Sequence, residues 1–427
     1  MSPALVLFVV FFVTLFIGIP FTWSMVISVL ASLSVSGQSI SAQFIANKMY
    51  SGGAKYVMLA VFFFLLAGAI MQHGGISKRL VNYAKAWVGH LDGGLSIVVI
   101  ICCVFFAALS GSSIATTCAI GGMLYPELIK EGYPKGYAAT LPVVGGTLGI
   151  VIPPSIAFVI FGSTMNVSVG SLLISGLVPG VLAGLAMSAY AFFIAKKKGF
   201  HKANEFNLKR ALIETKNAFW ALLMPIIILG GIYTGLFTPT ESAAVAVFYG
   251  IVVSVFIYRE LTLKKLFTLV IESVKSNANC LLLIMSALLF SWAMTIYKVP
   301  DTFMAFILTF IKTKTVFLLA MTLLLLVLGM LMDTSAVILI VGPLLYNVAM
   351  QYGIDPVHLG CLMVFNLAIG QATPPFGSCL FAGTTVTDLS VISLSKSAIP
   401  FVAIEYAVLL LITFVPGLVT GLVNMMM

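Results

Sequence analysis

"LGIVIPPSIAFVIFG", residues 148–162, places two adjacent prolines inside a run otherwise apolar enough for a membrane helix, and "IGQATPPFGSCLFAG", residues 369–383, repeats the arrangement. Proline has no backbone N–H and clashes with the preceding turn. A helix drawn straight through either stretch would lose hydrogen bonds where lipid offers no replacement. Each stretch therefore predicts a helix broken inside the bilayer.

The surrounding composition supports that setting. Of 427 residues, 61% are hydrophobic and 8% charged, with a mean hydropathy of +1.16, a balance typical of a polytopic helical membrane protein. A β-barrel is excluded because the apolar runs are continuous and do not alternate. The longest polar stretch is "KKKGFHKANEFNLKR", residues 196–210, too short for a soluble domain. No Lys or Arg occurs in the first 35 residues, so the segment lacks the basic region of a cleaved signal and reads as the first spanning helices. The six cysteines, Cys102, Cys103, Cys118, Cys280, Cys361 and Cys379, all fall in apolar segments. They read as small buried hydrophobes, with no disulfide framework and no metal set. The net charge of +9 comes from loops between spans, as the positive-inside rule requires, and does not point to nucleic acid.

The chain is written twice. Shifted against itself by 221 positions, it aligns Ala115 with Ala336, Gly121 with Gly342, Tyr125 with Tyr346 and Gly132 with Gly353. The same shift aligns Gly149 with Gly370, Pro153 and Pro154 with Pro374 and Pro375, Gly162 with Gly383, and Pro179 with Pro400. Glycines and prolines held in register without a gap indicate a duplicated structural unit. A weaker match upstream pairs Pro20 with Pro239. The halves are predicted at 1–200 and 218–427, joined by a cytoplasmic linker at 201–217. Each half reads as two helices meeting at a proline (3–18 and 20–37; 218–236 and 239–258) and a third span (56–72; 276–297). An amphipathic segment (76–90; 299–312), a double segment around a polar tip (94–130; 315–352), a broken span (136–165; 356–386) and a last span (170–195; 397–424) follow.

The tips, "SGSS" at 110–113 and "MDTS" at 332–335, are too polar for a turn left in lipid and suit re-entrant hairpins ending inside the protein. Each double segment could instead be two full spans, but if the hairpins are re-entrant each half crosses five times, and the copies must be inverted. With the N-terminus outside, Lys78, Arg79, Lys85, Lys130, Lys135, the seven basic residues of 196–216, Arg259, Lys264, Lys265, Lys275 and Lys396 are cytoplasmic, 17 of the 22. Five, Lys48, Lys55, Lys298, Lys312 and Lys314, are outside. That asymmetry favours this orientation, with both termini periplasmic. The fold class is an all-α polytopic membrane protein of two inverted repeats, each with about five spanning helices and one re-entrant hairpin, the architecture of secondary transporters.

Broken helices near the midplane offer main-chain carbonyls to cations and free N–H groups to anions. Ser110, Ser112, Ser113, Gly145 and Thr147 form one candidate sodium site, and Asp333, Thr334, Gly370 and Thr373 the other. Ser113, Pro153, Pro154, Ser335, Gln371, Pro374 and Pro375 are the candidate substrate contacts. Hydroxyls also cap helices, and Asp333 is open to both readings, intramembrane acid or N-cap. Glu405, well inside the last span, is open in the same way, as an intramembrane acid or a buried hydrogen bonder, whereas Glu241 reads as part of a capping box with Thr238. His73, His90, His201 and His358 fall in loops or near membrane edges, which favours sodium over proton coupling. Leu263, Leu266, Phe267, Val270, Ile271 and Val274 form a stripe beside Lys264 and Lys265 that predicts an interfacial helix. Leu80, Tyr83, Trp87 and Val88 predict another over 76–90.

"SGSSIATTCAIGGMLYPELIKEGY", "GGTLGIVIPPS" and "GLFTPTESAAVAVFYG" together resemble the large membrane subunit of the tripartite ATP-independent periplasmic (TRAP) transporters over nearly the whole chain. The resemblance implies a sodium-driven elevator importer in the bacterial inner membrane. It further implies a small four-helix membrane subunit, a soluble periplasmic substrate-binding protein, and a small carboxylate substrate such as sialic acid or a C4-dicarboxylate. With no Lys or Arg in a predicted core segment, hydroxyls, helix N-termini and bound sodium would hold that carboxylate. The alternative is a self-sufficient sodium- or proton-coupled divalent-anion symporter. An intramembrane hydrolase lacks an HExxH or GxSxG motif, and hairpins from opposite faces fit alternating access better than a channel.

Overall fold

The computed structural model describes residues 2–37, 40–200 and 206–426, so His201, the first part of the 201–217 linker and the C-terminal Met427 lie outside the described residues. Every regular element among them is helical. Six helices are long and apolar enough to cross a membrane, and two bent pairs, Ala42–Gly53 with Met58–His73 and Thr334–Ile340 with Gly342–Gln351, qualify as units.

Both double segments are helical hairpins. In the first, Gly94–Ser110 ends at Gly111, whose φ of +63° is the left-handed conformation glycine adopts at little cost. Ser112 then caps Ser113–Lys130 by accepting from the Ala115 amide (3.4 Å). In the second, Lys314–Leu331 runs to an extended Met332, and Asp333 caps Thr334–Ile340. The return arm bends by 55° before Gly342–Gln351, where "VGP" at 341–343 interrupts the amide ladder; the first hairpin has no counterpart to this bend.

The broken spans are helix, turn, helix. Lys135–Thr147 tightens into a 3-10 turn at Leu148–Ile150 and resumes at Ile156–Met165, capped by Ser155. Pro356–Gln371 stops before Pro374–Pro375 and resumes at Ser378–Val386. The second pieces cross between halves: Ser378–Val386 packs on the first hairpin's return arm, and Ile156–Met165 on Thr334–Ile340 of the second. The core therefore lies where hairpins and breaks interlock, and every residue from His358 to Gln371 is buried.

Several expectations need correction. The third span of the second half is one 34-residue helix, Leu263–Ile296, which absorbs the expected interfacial helix. Its 263–296 sequence contains no glycine or proline to stop it, whereas the matching Ala42–Gly53 ends at Gly52–Gly53 and bends by 50° into Met58–His73. The 42–53 helix itself was not foreseen. Leu263, Phe267, Ile271 and Val274 of the expected stripe are exposed. Pro3–Phe16 and Phe21–Ser36 have only 14 and 16 residues, because Gly18 and Pro20 separate them. The last span of the first half runs as one 30-residue span, Val169–Lys198, whereas that of the second half is divided, Pro416 parting Val391–Phe414 from Gly417–Met426. His358 does not lie in a loop. It is 1% exposed and its Nε2 sits 2.9 Å from the Ile412 carbonyl, because the Asp355 cap places it in a helical first turn beneath the last span. The histidine argument for sodium over protons loses that support.

The Ile76–Val88 helix buries Ile76, Leu80, Val81 and Ala84. Arg79 pins it by pairing with Glu260 (2.6 Å) and lying 3.6 Å over the Tyr258 ring. At the bend between Ala42–Gly53 and Met58–His73, Lys55 Nζ donates to the Ser163 carbonyl (2.5 Å), tying this helix pair to the end of the first broken span.

Candidate functional site

The first tip and the first break are in backbone contact. A Cβ on Gly149 would stand 2.6 Å from the Ser112 carbonyl oxygen, and one on Gly111 would stand 2.9 Å from the Pro154 carbonyl oxygen. Only glycine allows main chains this close. Ser113 Oγ donates across the gap to the Thr147 carbonyl (3.3 Å). The Ser110 hydroxyl lies 3.1 Å from that of Thr116, which itself donates to the Ser112 carbonyl (2.8 Å). Ser110, Ser112, Ser113 and Thr147 are thus brought together as expected. Gly145 is not part of this contact: its open side faces Cys103 on the outgoing hairpin arm, where a Cβ would meet Sγ at 2.7 Å. Pro153, Pro154 and Ser155 are all buried.

The second tip and break join through side chains and a glycine pair. Gln371 Nε2 donates to Thr334 Oγ1 (2.8 Å), and the Cys379 thiol points to Gln371 Oε1 (3.5 Å). Gly370 abuts Gly329 on the outgoing arm. Asp333 Oδ1 accepts from the Ser335 amide (2.8 Å) at an exposed tip, so Asp333 and Ser335 hold each other and neither reaches the break in this arrangement. The Thr373 hydroxyl donates back to the Ile369 carbonyl (2.7 Å). Pro374 is half-buried and Pro375 exposed, unlike their buried counterparts in the first half.

Between the sites lie polar groups that the sequence reading passed over. Asn366 is buried, donates to the Thr322 carbonyl (2.9 Å) and keeps an unpartnered Oδ1. Thr117 is fully buried beside the Cys379 thiol. Cys379, beside Ser113 and Thr117, brings the second break against the first hairpin. A polar residue recurring within a segment already assigned to the core was the available signal for Asn366 and Thr117. Glu405, left open above, is fully buried and accepts from the Thr147 hydroxyl. A cleft of about 230 Å³ opens against the first tip, lined by Ser110, Ser112, Gln72, His73, Glu272 and Ser276 among others. Among the described residues no three His, Cys, Asp or Glu side chains cluster as a metal site. The oxygens at the first tip and break are hydroxyls and main-chain carbonyls, with the Glu405 carboxyl beside Thr147.

A family model described as the tripartite ATP-independent periplasmic transporter, DctM component, matches residues 8–418. The C4-dicarboxylate TRAP transporter large permease protein DctM of Pseudomonas aeruginosa is 39% identical over 384 residues, 90% of each chain. The isethionate TRAP transporter permease protein DctMQ of Oleidesulfovibrio alaskensis is 38% identical over 418 residues, 98% of this chain, which spans 66% of that relative's length. The sialic acid TRAP transporter permease protein SiaT of Haemophilus influenzae is 34% identical over 429 residues, 100% of this chain and 69% of that protein. In fold, the chain resembles the Alcanivorax borkumensis YdaH transporter, with a TM-score of 0.62 at 14% identity over 87% of each chain.

Proposed function

The chain belongs to the DctM-component family of tripartite ATP-independent periplasmic transporters, and from that membership we propose that it is the large membrane subunit of a sodium-coupled importer in the bacterial inner membrane. The substrate is a small organic acid anion, with carboxylates of the C4-dicarboxylate or sialic acid type foremost; the isethionate relative widens the class to sulfonates. The chain works with a small four-helix membrane subunit and takes substrate from a soluble periplasmic binding protein.

The observation that carries this reading is the pairing, made twice, of a hairpin tip with a broken helix, at Gly149 against Ser112 and at Gln371 against Thr334. Non-helical backbone at membrane depth persists only where it is packed in protein or lines a site. Carbonyls freed at the breaks suit sodium, and the amides that open Ile156–Met165 and Ser378–Val386 suit an anion. In an elevator cycle the hairpins and breaks move as one body against the outer helices, with the Ile76–Val88 and Val299–Phe310 arms as braces.

The test is uptake into proteoliposomes under an imposed sodium gradient, using a labelled C4-dicarboxylate and labelled sialic acid. Uptake is expected only with the small subunit and binding protein present, and is expected to stop when the gradient is collapsed. Robust uptake by this chain alone would favour the self-sufficient symporter.

A further inference from the structure

Lys55 stands half-buried at the bend between Ala42–Gly53 and Met58–His73, and its Nζ donates to the Ser163 carbonyl (2.5 Å). Ser163 lies in the last turn of Ile156–Met165, where carbonyls have no helical amide left to accept from and the helix end is negative. The Asn166 and Val167 amides both turn back to the Gly162 carbonyl, which leaves the Ser163 carbonyl to the ammonium. No carboxylate competes for Lys55: the ion pairs among the described residues are Arg79–Glu260 and Lys85–Glu127. A charged donor on an otherwise unused carbonyl makes a bond stronger than a neutral one.

The bond joins two bodies, and the two halves of the chain hold the core differently. Met58–His73 packs on the outer helices Pro239–Ile251 and Leu263–Ile296, and also on Gly94–Ser110 and Ile156–Met165 of the core. Its counterpart is the end of Leu263–Ile296, because left-handed residues, Gly75 (φ +79°) and Lys298 (φ +53°), open the corresponding arms Ile76–Val88 and Val299–Phe310. That counterpart packs on Thr334–Ile340 and makes no comparable contact with Lys314–Leu331 or Ser378–Val386. Leu269, Glu272 and Ser276 of the same helix instead border the cleft at the first tip. Inverted repeats that differ in this way have a second arrangement available, with the two halves exchanged. In it Met58–His73 lets go of Ile156–Met165, and Leu263–Ile296 takes hold of Ser378–Val386. Lys55 falls on Ala278 when the halves are registered on the two left-handed residues and on Ser276 under the 221-residue shift. Neither carries a charge, so the exchanged arrangement has no equivalent bond.

We propose that Lys55 is a latch that holds the core against the outer helices in the cytoplasm-open arrangement and makes that arrangement the resting state. The proposal rests on the elevator reading above. On the orientation that the basic residues favour, Lys55 is outside, whereas the cleft, bordered by Gln72 and His73 a few residues before Lys78, opens to the cytoplasm. Taking a substrate from outside then requires the ammonium to leave Ser163 first.

The experiment is a distance measurement by double electron–electron resonance on the full chain in lipid nanodiscs. Spin labels are placed at Tyr50→Cys, exposed on Ala42–Gly53, and at Gln351→Cys, exposed at the base of the second hairpin, after Cys118 and Cys280, the two cysteines that are not buried, are replaced by serine. Wild type is expected to show mainly the distance of this structure. Lys55→Met is expected to raise the ratio of displaced to undisplaced molecules about tenfold, the equivalent of one hydrogen bond to a charged group. Lys55→Arg, which keeps the charge, and Lys48→Met, which removes a lysine from the neighbouring helix, are expected to leave the ratio near that of wild type. Should Lys55→Met fail to fold, Lys55→Gln decides by the same ratio. An unchanged ratio overturns the latch and leaves the elevator standing. A single distance in every variant, with and without sodium, overturns the elevator and the latch together.

Discussion

Gly342 packs against Met165: a Cβ on Gly342 would stand 2.8 Å from the Met165 methyl. The mirror contact is made by Gly121 and Val386, where a Cβ would stand 2.8 Å from Cγ2. Glycine 121 becomes 342 and residue 165 becomes 386 under the 221-residue shift, so the same contact is made with the halves exchanged. Such reciprocity is the mark of a two-fold relation between the halves. It places each hairpin's return arm against the other half's broken helix, and the first prediction follows from it.

Gly121→Ala is expected to cost more than Gly342→Ala. Val386 is β-branched and stiff, whereas the Met165 methyl sits at the end of three rotatable bonds and yields readily. Overpacking at Gly121 is expected to cost about 1–3 kcal/mol. Gly122, with nothing within 4 Å of its Cβ direction, is the control, and its Ala variant is expected to be neutral or stabilising. Melting temperatures of the purified variants check the order; a Gly342→Ala loss equal to that of Gly121→Ala would contradict the argument.

The second prediction concerns the glycines of the breaks. A Cβ on Gly370 would stand 2.6 Å from the Gly329 carbonyl carbon, and one on Gly149 equally close to the Ser112 carbonyl oxygen. Both neighbours are main chain and cannot rotate away, so the hairpin must be pushed off the break. Gly149→Ala and Gly370→Ala are expected to abolish uptake at normal expression, whereas Gly353→Ala, at an exposed loop with open space around it, is expected to retain it despite some backbone strain.

The third prediction addresses the Gln371–Thr334 bond. Both residues are buried, so removing one partner strands the other and is expected to cost about 1–3 kcal/mol. Thr334→Val and Gln371→Leu combined are expected to cost less than the sum of the two single changes. A double-mutant cycle on unfolding temperature reads this coupling, and strict additivity would show that the bond contributes nothing.

What could be read in advance divides along physical lines. The duplication, the hairpins and the breaks are legible because glycine and proline punctuate a chain with few polar residues, and lipid forbids unpaired backbone wherever they fall. The fusion of Leu263–Ile296 was not legible: amphipathic spacing suggested a boundary near residue 275, and only the lack of a breaker argued against it. Ser112 and Ser113 were found because they flank a glycine turn. Thr117 and Asn366 show in the sequence only as polar residues inside apolar runs, since their roles depend on helices more than 25 residues away in sequence meeting them in the core. Asp333 and Glu405 were visible as acids, but which of them faces a break depends on tertiary packing.

The fourth prediction is topological. The 17 basic residues assigned to one side against five on the other, of 22 in all, imply opposite entry for the two hairpins. Single-cysteine probes near Lys130 and Lys197 are expected to label only from the cytoplasm, and probes near Lys314 and at Met427 only from outside. Labelling of both hairpin bases from one side would overturn the inverted arrangement.

The last prediction separates two roles for Asp333. Its carboxylate accepts from the Ser335 amide at the start of Thr334–Ile340, a capping bond that asparagine reproduces without the charge. If Asp333 acts only as a cap, Asp333→Asn behaves as wild type and Asp333→Ala loses about 1 kcal/mol of stability with transport intact. If Asp333 supplies charge to the second cation site, Asn and Ala lower sodium affinity alike, because both remove the negative charge. The second pattern is expected, with loss of cooperativity in sodium, because Asp333 is the one formal negative charge at the second tip. Sodium titrations of uptake decide the matter, with a Ser112→Ala, Ser113→Ala double variant expected to show a smaller shift, since the first tip offers hydroxyls and carbonyls but no charge. Wild-type sodium dependence in Asp333→Asn would reduce the residue to its cap.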